Sequence, residues 1–428
     1  MKSSWDKIKF DEIIDILTDY HANGSYKILK ENVELFDIPN YAIMIRTTNF
    51  ESGLDNTTFK YISEDAYNYL KKTKVYSGDI IMNKIANPGT AYYMPDLNRP
   101  VSLAMNLFLI RVDKNKALSK YIYYYLKVNE AYVKSFALGS VTQTITKQAV
   151  RNLVIDLPNI KIQKKIINII GGLDDKIELN RKMNQTLEQM AQALFKSWFV
   201  DFDPVKVKAK CSSDEELEAV AKELGISKEI LELFPSEFED SELGMIPKGW
   251  KNNTLSHFVE ILDSKRIPLA KNERAKRQGQ IPYYGATSIM DYIDDFIFNE
   301  PLTLMGEDGS VVRDDGTPFM QYIWGKAWIN NHAHVIKSKS SLSTEAIYIA
   351  LLKQNVTRFV TGAVQPKINQ RNLKQIPIIE PTENLHQVYS ELIAPMFSKI
   401  RQLTDETKTL TKTRDTLLPK LLSGEVEV

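Results

Sequence analysis

The amino-acid sequence contains one long pattern twice, and this internal repeat restricts the possible folds more than any other feature. Residues 139–158, GSVTQTITKQAVRNLVIDLP, align without a gap to residues 362–381, GAVQPKINQRNLKQIPIIEP, at a constant separation of 223 positions. The separation is kept through the next segment, which matches Ile177 to Ile400, Leu187 to Leu410, and Leu194 to Leu417. Repetition over this distance is typical of duplicated structural units. We therefore predict two homologous modules, each consisting of a head followed by a helix.

The beginnings of the two modules also match, at a different separation. The matched residues are Trp5, Phe10, Ile13 and Ile14 in the first copy and Trp250, Leu255, Phe258 and Val259 in the second. The head of the second copy is therefore shorter by about 22 residues. A chain of 428 residues is also too long for one domain, so two to three domains are expected.

The composition is that of a globular protein. Hydrophobic residues make up 43% and aromatic residues 10% of the chain, enough for well-filled cores. No apolar run approaches the roughly 20 residues needed to span a bilayer, and the start, MKSSWDKIKF, lacks an apolar signal core. The single cysteine, Cys211, cannot form an internal disulfide. These features predict a cytoplasmic protein with no membrane partner.

Charge is distributed unevenly along the chain. The formal net charge is only +1, but residues 211–245 hold eleven acidic and two basic side chains, so the remaining residues carry about +10. Attraction to phosphate depends on where charge lies and not on its total. Proteins of this size also show such patches without binding nucleic acid, so this segregation alone decides nothing.

The two heads are predicted to be mixed α/β (α+β) domains. Strands are expected at GDIIM (78–82), NLFLIRV (106–112), PLTLMG (301–306) and AHVIKS (333–338), with turn signals between them. Helices are expected at 119–136 and 343–359, just before the repeated Gly139 and Gly362 segments.

The segment after each head has apolar residues at alternating spacings of four and three, the heptad pattern of a coiled coil. We predict two long helices that pair antiparallel within the chain, with the heads at opposite ends and an approximate twofold symmetry. Gly171-Gly172 and Pro395 predict a kink or restart in each helix. The alternative is an ordinary core helix in each of two independent domains. The predicted seam residues are Ile170, Leu173, Ile177, Asn180, Leu187, Leu194, Ile393, Met396, Ile400, Leu403, Leu410 and Leu417.

This layout resembles the specificity (S) subunit of type I restriction-modification systems. The resemblance covers nearly the whole chain, and its most specific segments are GSVTQTIT, the run LPNIKIQKKIINIIGGLDDKIELNRKMNQTLEQMAQALFKSWFVDFDP, and the ending LLPKLLSGEVEV. In the heads, SGDIIMNKIANPG and then IPYYGATSIMDYIDD, LMGEDGSV and GKAWINNHAHV resemble the recognition domains of that family.

The resemblance implies a division of the chain and a set of partners. It implies target recognition domains at 1–158 and 246–381, conserved helices at 159–204 and 382–428, and an acidic connector at 205–245. It also implies binding of double-stranded DNA, assembly with two methyltransferase (M) subunits, and recruitment of restriction (R) subunits for cleavage. S-adenosylmethionine, ATP and magnesium would then belong to the partner subunits and not to this chain.

The sequence contains no recognisable catalytic constellation. The nearest string to an amino-methyltransferase motif, Asn87-Pro88-Gly89-Thr90, lacks the second proline and the aromatic residue, and no Walker-type phosphate loop is present. His332 and His334 alternate on a predicted strand without a third metal ligand at metal-site spacing, so no metal site is expected. Glu307 and Asp308 lie within a Gly-Glu-Asp-Gly-Ser turn. They are interpreted as turn-forming residues or as acceptors for a cytosine amino group.

Cationic, forked and aromatic side chains beside turns are the candidates for DNA contact. In the first head they are Arg46, Thr47, Thr48, Asn49, Lys84, Asn87, Arg99, Ser140, Thr142 and Gln143. In the second head they are Lys265, Arg266, Arg274, Lys276, Arg277, Tyr283, Tyr284, Arg313, Lys326, Asn330, Asn331, His332, Gln365 and Lys367.

Two interpretations of the repeated glycine segments remain open. Gln143 and Gln365 would bind phosphate or adenine, or the glycines would only shape the turn into the next element. The aromatic end of the first helix, Phe195, Trp198 and Phe199, is predicted to bind partner subunits, because an exposed Trp-Phe pair is costly. The alternative is that Trp198 packs against the second helix. Other functional hypotheses are a free-standing DNA-binding regulator and an enzyme acting without partners.

Overall fold

The structure is a computed structural model that describes residues 5–140, 142–241, 244–362, 364–381 and 384–428. The chain divides into two units. The first consists of Met1–Glu178 and Lys408–Val428, and the second of Leu179–Thr407. Each unit therefore combines one head with parts of both long helices. Among the described residues, no helix has both the length and the apolar character required to cross a membrane.

The first unit contains two four-stranded sheets and a short strand pair. The antiparallel sheet has the order β2-β9-β6-β7, the mixed sheet has the order β4-β3-β8-β5 with β3 and β8 parallel, and β1 pairs with β10. The strands are β1 (Asp6–Lys9), β2 (Ile14–Asp19), β3 (Ala42–Ile45), β4 (Lys60–Ile62), β5 (Lys74–Val75), β6 (Ile80–Asn83), β7 (Ala91–Tyr93), β8 (Val101–Leu103), β9 (Leu107–Val112) and β10 (Val154–Leu157). The helices are α1 (Tyr26–Asn32), α2 (Thr47–Glu51), α3 (Glu64–Tyr69), α4 (Ser119–Val128), α5 (Glu130–Lys134) and α6 (Lys147–Arg151), followed by the long α7 (Ile160–Phe199).

The second unit begins within α7 and repeats this topology. The antiparallel sheet has the order β14-β21-β18-β19, the mixed sheet has the order β16-β15-β20-β17 with β15 and β20 parallel, and β13 pairs with β22. The strands are β11 (Phe238–Ser241), β12 (Gly244–Pro247), β13 (Lys251–Thr254), β14 (Val259–Ile261), β15 (Gln278–Tyr284), β16 (Ile289–Ile293), β17 (Phe298–Asn299), β18 (Leu302–Gly306), β19 (Met320–Ile323), β20 (Lys326–Ile329), β21 (Ala333–Ser338) and β22 (Pro377–Glu380). The helices are α8 (Asp203–Lys208), α9 (Asp214–Glu223), α10 (Lys228–Glu232), α11 (Leu255–Phe258), α12 (Lys271–Lys276), α13 (Thr344–Leu352), α14 (Gln370–Lys374) and the long α15 (Leu385–Leu422).

The hydrogen bonds repeat at the separations found in the sequence. The amide of Phe10 donates to the carbonyl of Leu153 at 2.8 Å, and the amide of Leu255 donates to that of Ile376 at 2.7 Å. The strand pair repeats in the same register, since Asp6 lies opposite Leu157 and Lys251 lies opposite Glu380. The predicted duplication and the mixed α/β heads are therefore confirmed. The extra length of the first head falls between β2 and β6. This segment has three α-helices, whereas the matching segment of the second head, between β14 and β18, has one, α12; both segments lie wholly within the described residues.

Of the kink or restart predicted in each long helix, the restart is wrong. Helix α7 runs unbroken through Gly171-Gly172, and α15 runs unbroken through Pro395. A glycine costs a helix interior about 1 kcal/mol and a proline about 3 kcal/mol. The buried residues on both sides of Pro395, Ile393 and Phe397, hold α15 in the core and offset that cost. Gly171 leaves room for a neighbour, because a Cβ there would lie 3.3 Å from the Nζ of Lys120.

The two long helices pack antiparallel within each unit, as predicted. In the second unit the side-chain amide of Asn180 donates to Glu406 at 3.0 Å, and that of Asn184 donates to Thr404 at 2.9 Å. The Tyr389 hydroxyl donates to the Ala191 carbonyl. Going towards higher residue numbers in α7, the contacted residues of α15 have lower numbers, so the helices are antiparallel. Every residue of the predicted seam is buried or half-buried.

In the first unit the same pairing is formed by other parts of the helices. Arg414 donates to Asp174 at 2.9 Å, and Leu418 and Leu421 share an apolar core with Ile166 and Ile170. The two helices are therefore not separate core helices of independent domains.

The aromatic end of α7 is buried, which contradicts its predicted exposure. Trp198 is 1% exposed and Phe199 is 3% exposed. Trp198 packs edge-on against Phe234 at 5.1 Å and lies 6.1 Å from the ring of Tyr389 on α15. Phe234 follows α10 in the acidic segment, so that segment covers the aromatic residues. The alternative packing of Trp198 against the second helix is correct. The binding of a partner by Phe195 and Phe199 stays a prediction.

Candidate nucleic-acid interface

In each head, the loop that follows the third strand in the order of the antiparallel sheet lies beside a second loop, which contains Gly139 or Gly362. We call residues 84–89 and 307–311 the turn loops, and residues 138–144 and 361–367 the glycine loops. In the first head the amide of Ala86 donates to the Gln143 carbonyl at 3.3 Å. In the second head the amide of Gly309 donates to the Pro366 carbonyl at 3.0 Å. The two loops of each head therefore form one backbone-linked surface, and the surface is repeated.

The glycine loops are closed by matching pairs of hydrogen bonds. Leu138 and Thr144 exchange two backbone hydrogen bonds of 2.8 Å, and Thr361 and Lys367 exchange two of 2.7 Å. Gly139 and Gly362, inside these closures, have φ values of +114° and +89°. A Cβ at either position would collide with a carbonyl oxygen of the same loop, that of Thr142 or that of Gln365. Glycine is therefore required for this turn.

The turn that glycine permits exposes the side chains at its tip. Ser140, Thr142 and Gln143 are exposed in the first head, and Gln365 and Lys367 in the second. Val141 and Ala363, which belong to the same predicted segments, lie outside the described residues. The glycines shape the loop, and the same loop presents polar side chains to solvent, so the two interpretations of these segments are compatible.

The turn loops have a left-handed residue at the same position. Ala86 has a φ of +70°, and Gly309, which occupies the corresponding place in the second head, has a φ of +71°. Alanine in this region costs of order 1–3 kcal/mol, which the surrounding hydrogen bonds must offset. Such strain is concentrated at functional sites. Asn87, the next residue, is exposed beside the glycine loop.

An acidic side chain lies under the loop pair of the first head. Asp19, at the end of β2, pairs with Lys84 at 3.0 Å and with Lys147 at 3.1 Å. Burial alone would raise the pKa of Asp19, but the hydrogen bonds and charges of the two lysines outweigh it and lower the pKa below its ordinary value. Lys84 is in the turn loop and Lys147 follows the glycine loop, so this acid connects both loops to the sheet.

The second head has a larger ionic cluster in the same place. Asp263 accepts from the amide of Val335 at 2.9 Å and lies 2.6 Å from His334 Nδ1, while His334 Nε2 donates to the Ile368 carbonyl at 2.7 Å. Burial would raise the pKa of Asp263, but the bonds from His334 and Val335 and the nearby Arg266 lower it.

The fold supplies the ligand-type residues that the sequence did not place near His334. One potential ligand atom from each of Asp263, Glu307 and His334 lies within 4.8 Å of the others. Sequence spacing did not reveal this group, because Asp263 comes from a distant segment, and the expectation of no metal site stays a prediction. The carboxylates already have cationic partners, since Glu307 pairs with Arg266 at 2.7 Å and with Lys367 at 3.2 Å. The chemistry of this group is that of an ion-pair network. His332 is exposed and pairs separately with Asp308.

Five predicted DNA contacts are contradicted by their surroundings. Asn49, Tyr283 and Asn330 are 0%, 1% and 3% exposed, and each accepts a backbone hydrogen bond inside its own head. The side chains of Arg266 and Arg274 are only 11% and 13% exposed and pair with Glu307 and Asp291. These polar residues hold the loops in place instead of facing solvent, which their sequence positions beside turns did not reveal.

The remaining candidates stay predictions. The exposed ones are Thr48, Asn87, Arg99, Ser140, Thr142, Gln143, Lys265, Lys276, Arg313, Lys326, Asn331, His332, Gln365 and Lys367. The half-buried ones are Arg46, Thr47, Lys84, Arg277 and Tyr284. Sequence reasoning missed Asp19, Lys147, Asp263 and Gln370 under the loops. A signal existed, because Lys147 and Gln370 match within the gapless repeat.

The first head also has a cavity beside its turn loop. It has a volume of about 420 Å³, and its lining includes Tyr20, Met44, Arg46 and Asn106. The amide of Lys84 donates to the Asn106 carbonyl at 2.8 Å, which joins the cavity rim to the turn loop. The Nε of Arg46 is buried without a hydrogen-bond partner, so this wall can offer a donor to a bound group.

Comparison with known proteins shows one family. The sequence model described as the type I restriction modification DNA specificity domain matches residues 2–189 and 247–412. The chain is 29% identical over 416 residues to the type I restriction enzyme HindI specificity subunit of Haemophilus influenzae, covering 83% of this chain and 88% of that protein. It is 25% identical over 414 residues to the MjaIX specificity subunit of Methanocaldococcus jannaschii, covering 92% and 85%.

A solved structure has the same fold. The S subunit of the type I restriction-modification system from M. genitalium matches with a TM-score of 0.56 and 16% identity, over 97% of this chain and 96% of that one.

Replacing the loop glycine has an expected cost. We expect Gly139→Ala to lower the free energy of unfolding of the chain by about 1–3 kcal/mol, because alanine must adopt a left-handed φ and collides with the Thr142 carbonyl. The control is Gly172→Ala, at an exposed helical position with open space around its Cβ, which should gain up to about 1 kcal/mol. Urea unfolding measures both. Equal effects of the two substitutions would contradict the assigned role of Gly139.

Proposed function

The chain belongs to the type I restriction-modification DNA specificity family, and on that premise we propose that it reads a two-part DNA target, one half-site with each head. The observation that carries this proposal is the repeated loop pair. Both heads have a turn loop and a glycine loop joined by the same backbone hydrogen bonds, with exposed polar tips. Two separate DNA-binding surfaces imply a target with two separate parts, whereas a single surface would imply one continuous target.

The exposed side chains of the loops suit base reading. Glutamine can form a bidentate pair with adenine, and each good pair is worth about 1–3 kcal/mol of discrimination. Gln143 and Gln365 stand on loops whose shape is fixed by glycine. Exposed cations elsewhere in the heads, including Arg99, Lys276 and Lys326, would bind phosphates and fix the orientation of each head.

The long helices would set the distance between the half-sites. Helix α7 has 40 residues and α15 has 38. At 1.5 Å per residue each measures about 57–60 Å. Heads that meet the same face of the duplex require half-sites about one helical turn apart, roughly 34–36 Å. We therefore propose that the paired helices act as a ruler and that the spacer in the target depends on them.

Methyltransferase subunits would bind the side of α7 that the head leaves open. A groove of about 670 Å³ runs beside α7 in the second unit, and its lining includes Phe195, Ala193, Val200 and Ile349. Val200 is 56% exposed and the nearby Met190 is 51% exposed. Phe195 and Phe199 both line this groove and remain docking candidates, whereas Trp198 is buried against Phe234.

The division of labour follows from this assembly. We propose that this chain supplies recognition and makes or breaks no bond itself. Two M subunits would bring S-adenosylmethionine for adenine methylation, and R subunits would bring ATP and magnesium for cleavage, all in the cytoplasm.

The loop tips should control the two half-sites separately. We expect the double variant Thr142→Ala, Gln143→Ala to relax the sequence requirement at one half-site, and Gln365→Ala to relax it at the other. Genome-wide mapping of methylated adenines in cells carrying each variant measures this. Asn115→Ala is the control, since Asn115 is exposed beyond the other end of β9. If neither loop variant changes the methylated sequence, the heads do not read DNA with these loops.

Lengthening both helices should lengthen the spacer alone. We propose inserting four residues after Glu178 and four after Thr407, where the two units meet within the helices. Four residues add about 6 Å of helix, which corresponds to about two base pairs. The mapped target should gain one or two base pairs between unchanged half-sites. An unchanged spacer would disprove the ruler.

Filling the groove should block assembly. We expect Ala193→Trp to lower the amount of M subunit that co-purifies with the chain by at least about tenfold, because the indole occupies the apolar groove. The control is Gln185→Trp, on the same helix and exposed, outside the groove lining. Full co-purification of the M subunit with Ala193→Trp would show that the M subunit binds elsewhere on the chain.

A further inference from the structure

The acids under the two loop pairs occupy the same place in the fold. Asp19 lies opposite Phe108 in the β2–β9 ladder. Asp263 lies just past β14, where the amide of Leu262 donates to the Val335 carbonyl at 2.8 Å, so Asp263 meets His334 on the adjacent strand. A register shift between Ile14 and Ile16 in β2 accounts for the one-residue difference in sequence separation. We call Asp19 and Asp263 the anchor acids.

Each anchor acid binds the first residue of the helix that follows its glycine loop. Lys147 begins α6 and donates to Asp19 at 3.1 Å. Gln370 begins α14 and donates to Asp263 at 2.8 Å. These two residues differ by 223 positions and therefore match in the repeat. Both heads make this contact, although the donor is charged in the first head and neutral in the second.

Each anchor acid also connects to the first residue of its turn loop. In the first head the connection is direct, from Lys84 to Asp19. In the second head the matching residue is Glu307, whose charge is opposite to that of Lys84. Arg266 lies between the two carboxylates there, 2.7 Å from Glu307 and 3.5 Å from Asp263. Both heads therefore have this connection, although different residues form it.

The anchor acids are more deeply buried than the tips of the loops they connect. Asp19 is 9% and Asp263 is 7% exposed, and both stand on or beside strands of the antiparallel sheet. The tips of the glycine loops are exposed. A loop pair fixed to the sheet at one buried point is limited in the angles that it can adopt. Removing the Asp19 carboxylate leaves Lys84 and Lys147 without their acidic partner, so the two lysines repel each other. The residues at the loop tips are unchanged.

From these observations we propose that Asp19 and Asp263 are positioning residues that set the angle of the reading loops, each for its own half-site. The proposal rests on the proposed function, because it assumes that the loops read DNA. The anchor acids themselves do not touch DNA. Each acts through the residue that begins α6 or α14 and through the first residue of the turn loop.

The test measures discrimination at each half-site separately. The full-length chain, assembled with its M subunits, is titrated with fluorescent duplexes carrying the mapped target or the same target with one half-site replaced. The ratio of the two Kd values gives the discrimination at that half-site. Asp19→Asn should reduce discrimination by about tenfold at the first head's half-site and by less than about twofold at the other. Asp263→Asn should do the reverse.

Lys147 offers a matched pair of variants. Lys147→Gln should keep the discrimination, because Gln370 makes the same bond in the second head, whereas Lys147→Ala should reduce it at the first head's half-site only. Lys147 is half-buried and less central than Asp19, so this pair remains informative if Asp19→Asn lowers the thermal midpoint of the chain.

The outcomes separate the two ideas. Equal losses at both half-sites, or equal behaviour of Lys147→Gln and Lys147→Ala, would show that the anchor acids only stabilise the fold. Gln143→Ala serves as the reference variant. If it loses discrimination while Asp19→Asn does not, the anchor proposal fails and the proposed function stands. If Gln143→Ala also has no effect, the loops do not read DNA.

Discussion

The antiparallel pairing of the two long helices is the constraint on which the rest of the structure depends. Each head is completed by helix residues from both copies of the repeat. In the first unit Leu418 and Leu421, from the second helix, share a core with Ile166 and Ile170 of the first. In the second unit Ala191 and Trp198, from the first helix, pack with Tyr389 of the second. Neither copy of the repeat could bury its apolar surface without the other.

This exchange explains the costly residues that the helices tolerate. Asn180 and Asn184 lie between the helices, where polar groups reduce stability, but their side-chain amides donate to Glu406 and Thr404, and a shift of register would break both hydrogen bonds. Gly171 and Pro395 weaken a helix, yet both helices continue because the residues on either side are buried. A helix whose face is covered along its whole length can carry local defects that would end an isolated helix.

The sequence predicted the features that depend on periodicity and repetition. The duplicated heads, the two helices and their antiparallel pairing all follow from spacing, which is a local property. The predictions that were wrong concern residues that are covered or approached by segments distant from them in the sequence. The covering of Trp198 by Phe234, and the approach of Asp263 to His334, join residues separated by tens of positions, and no spacing rule reports them.

The candidate site shows the same limit at smaller scale. Polar residues beside turns either hold the loop or face solvent, and the residue type is the same in both cases. Asn49 and Asn330 hold their loops, whereas Asn87 and Asn331 are exposed. Only their hydrogen-bond partners distinguish them. The repeat could have helped, since a residue that keeps its contact in both heads while changing identity, such as Lys147 and Gln370, belongs to the framework.

Two modest heads in one chain can recognise DNA more tightly than either head alone. A few bidentate pairs, at about 1–3 kcal/mol each, give one head limited discrimination. With the proposed two-part target, once the first head is bound the second would meet its half-site at an effective concentration of order millimolar for a short flexible connection. A stiff connection raises that value only when its length suits the spacing of the half-sites, and abolishes the gain otherwise. Under the proposed ruler, stiff paired helices would turn a gain in affinity into a requirement for one spacing, which a flexible linker between the same two heads would not impose.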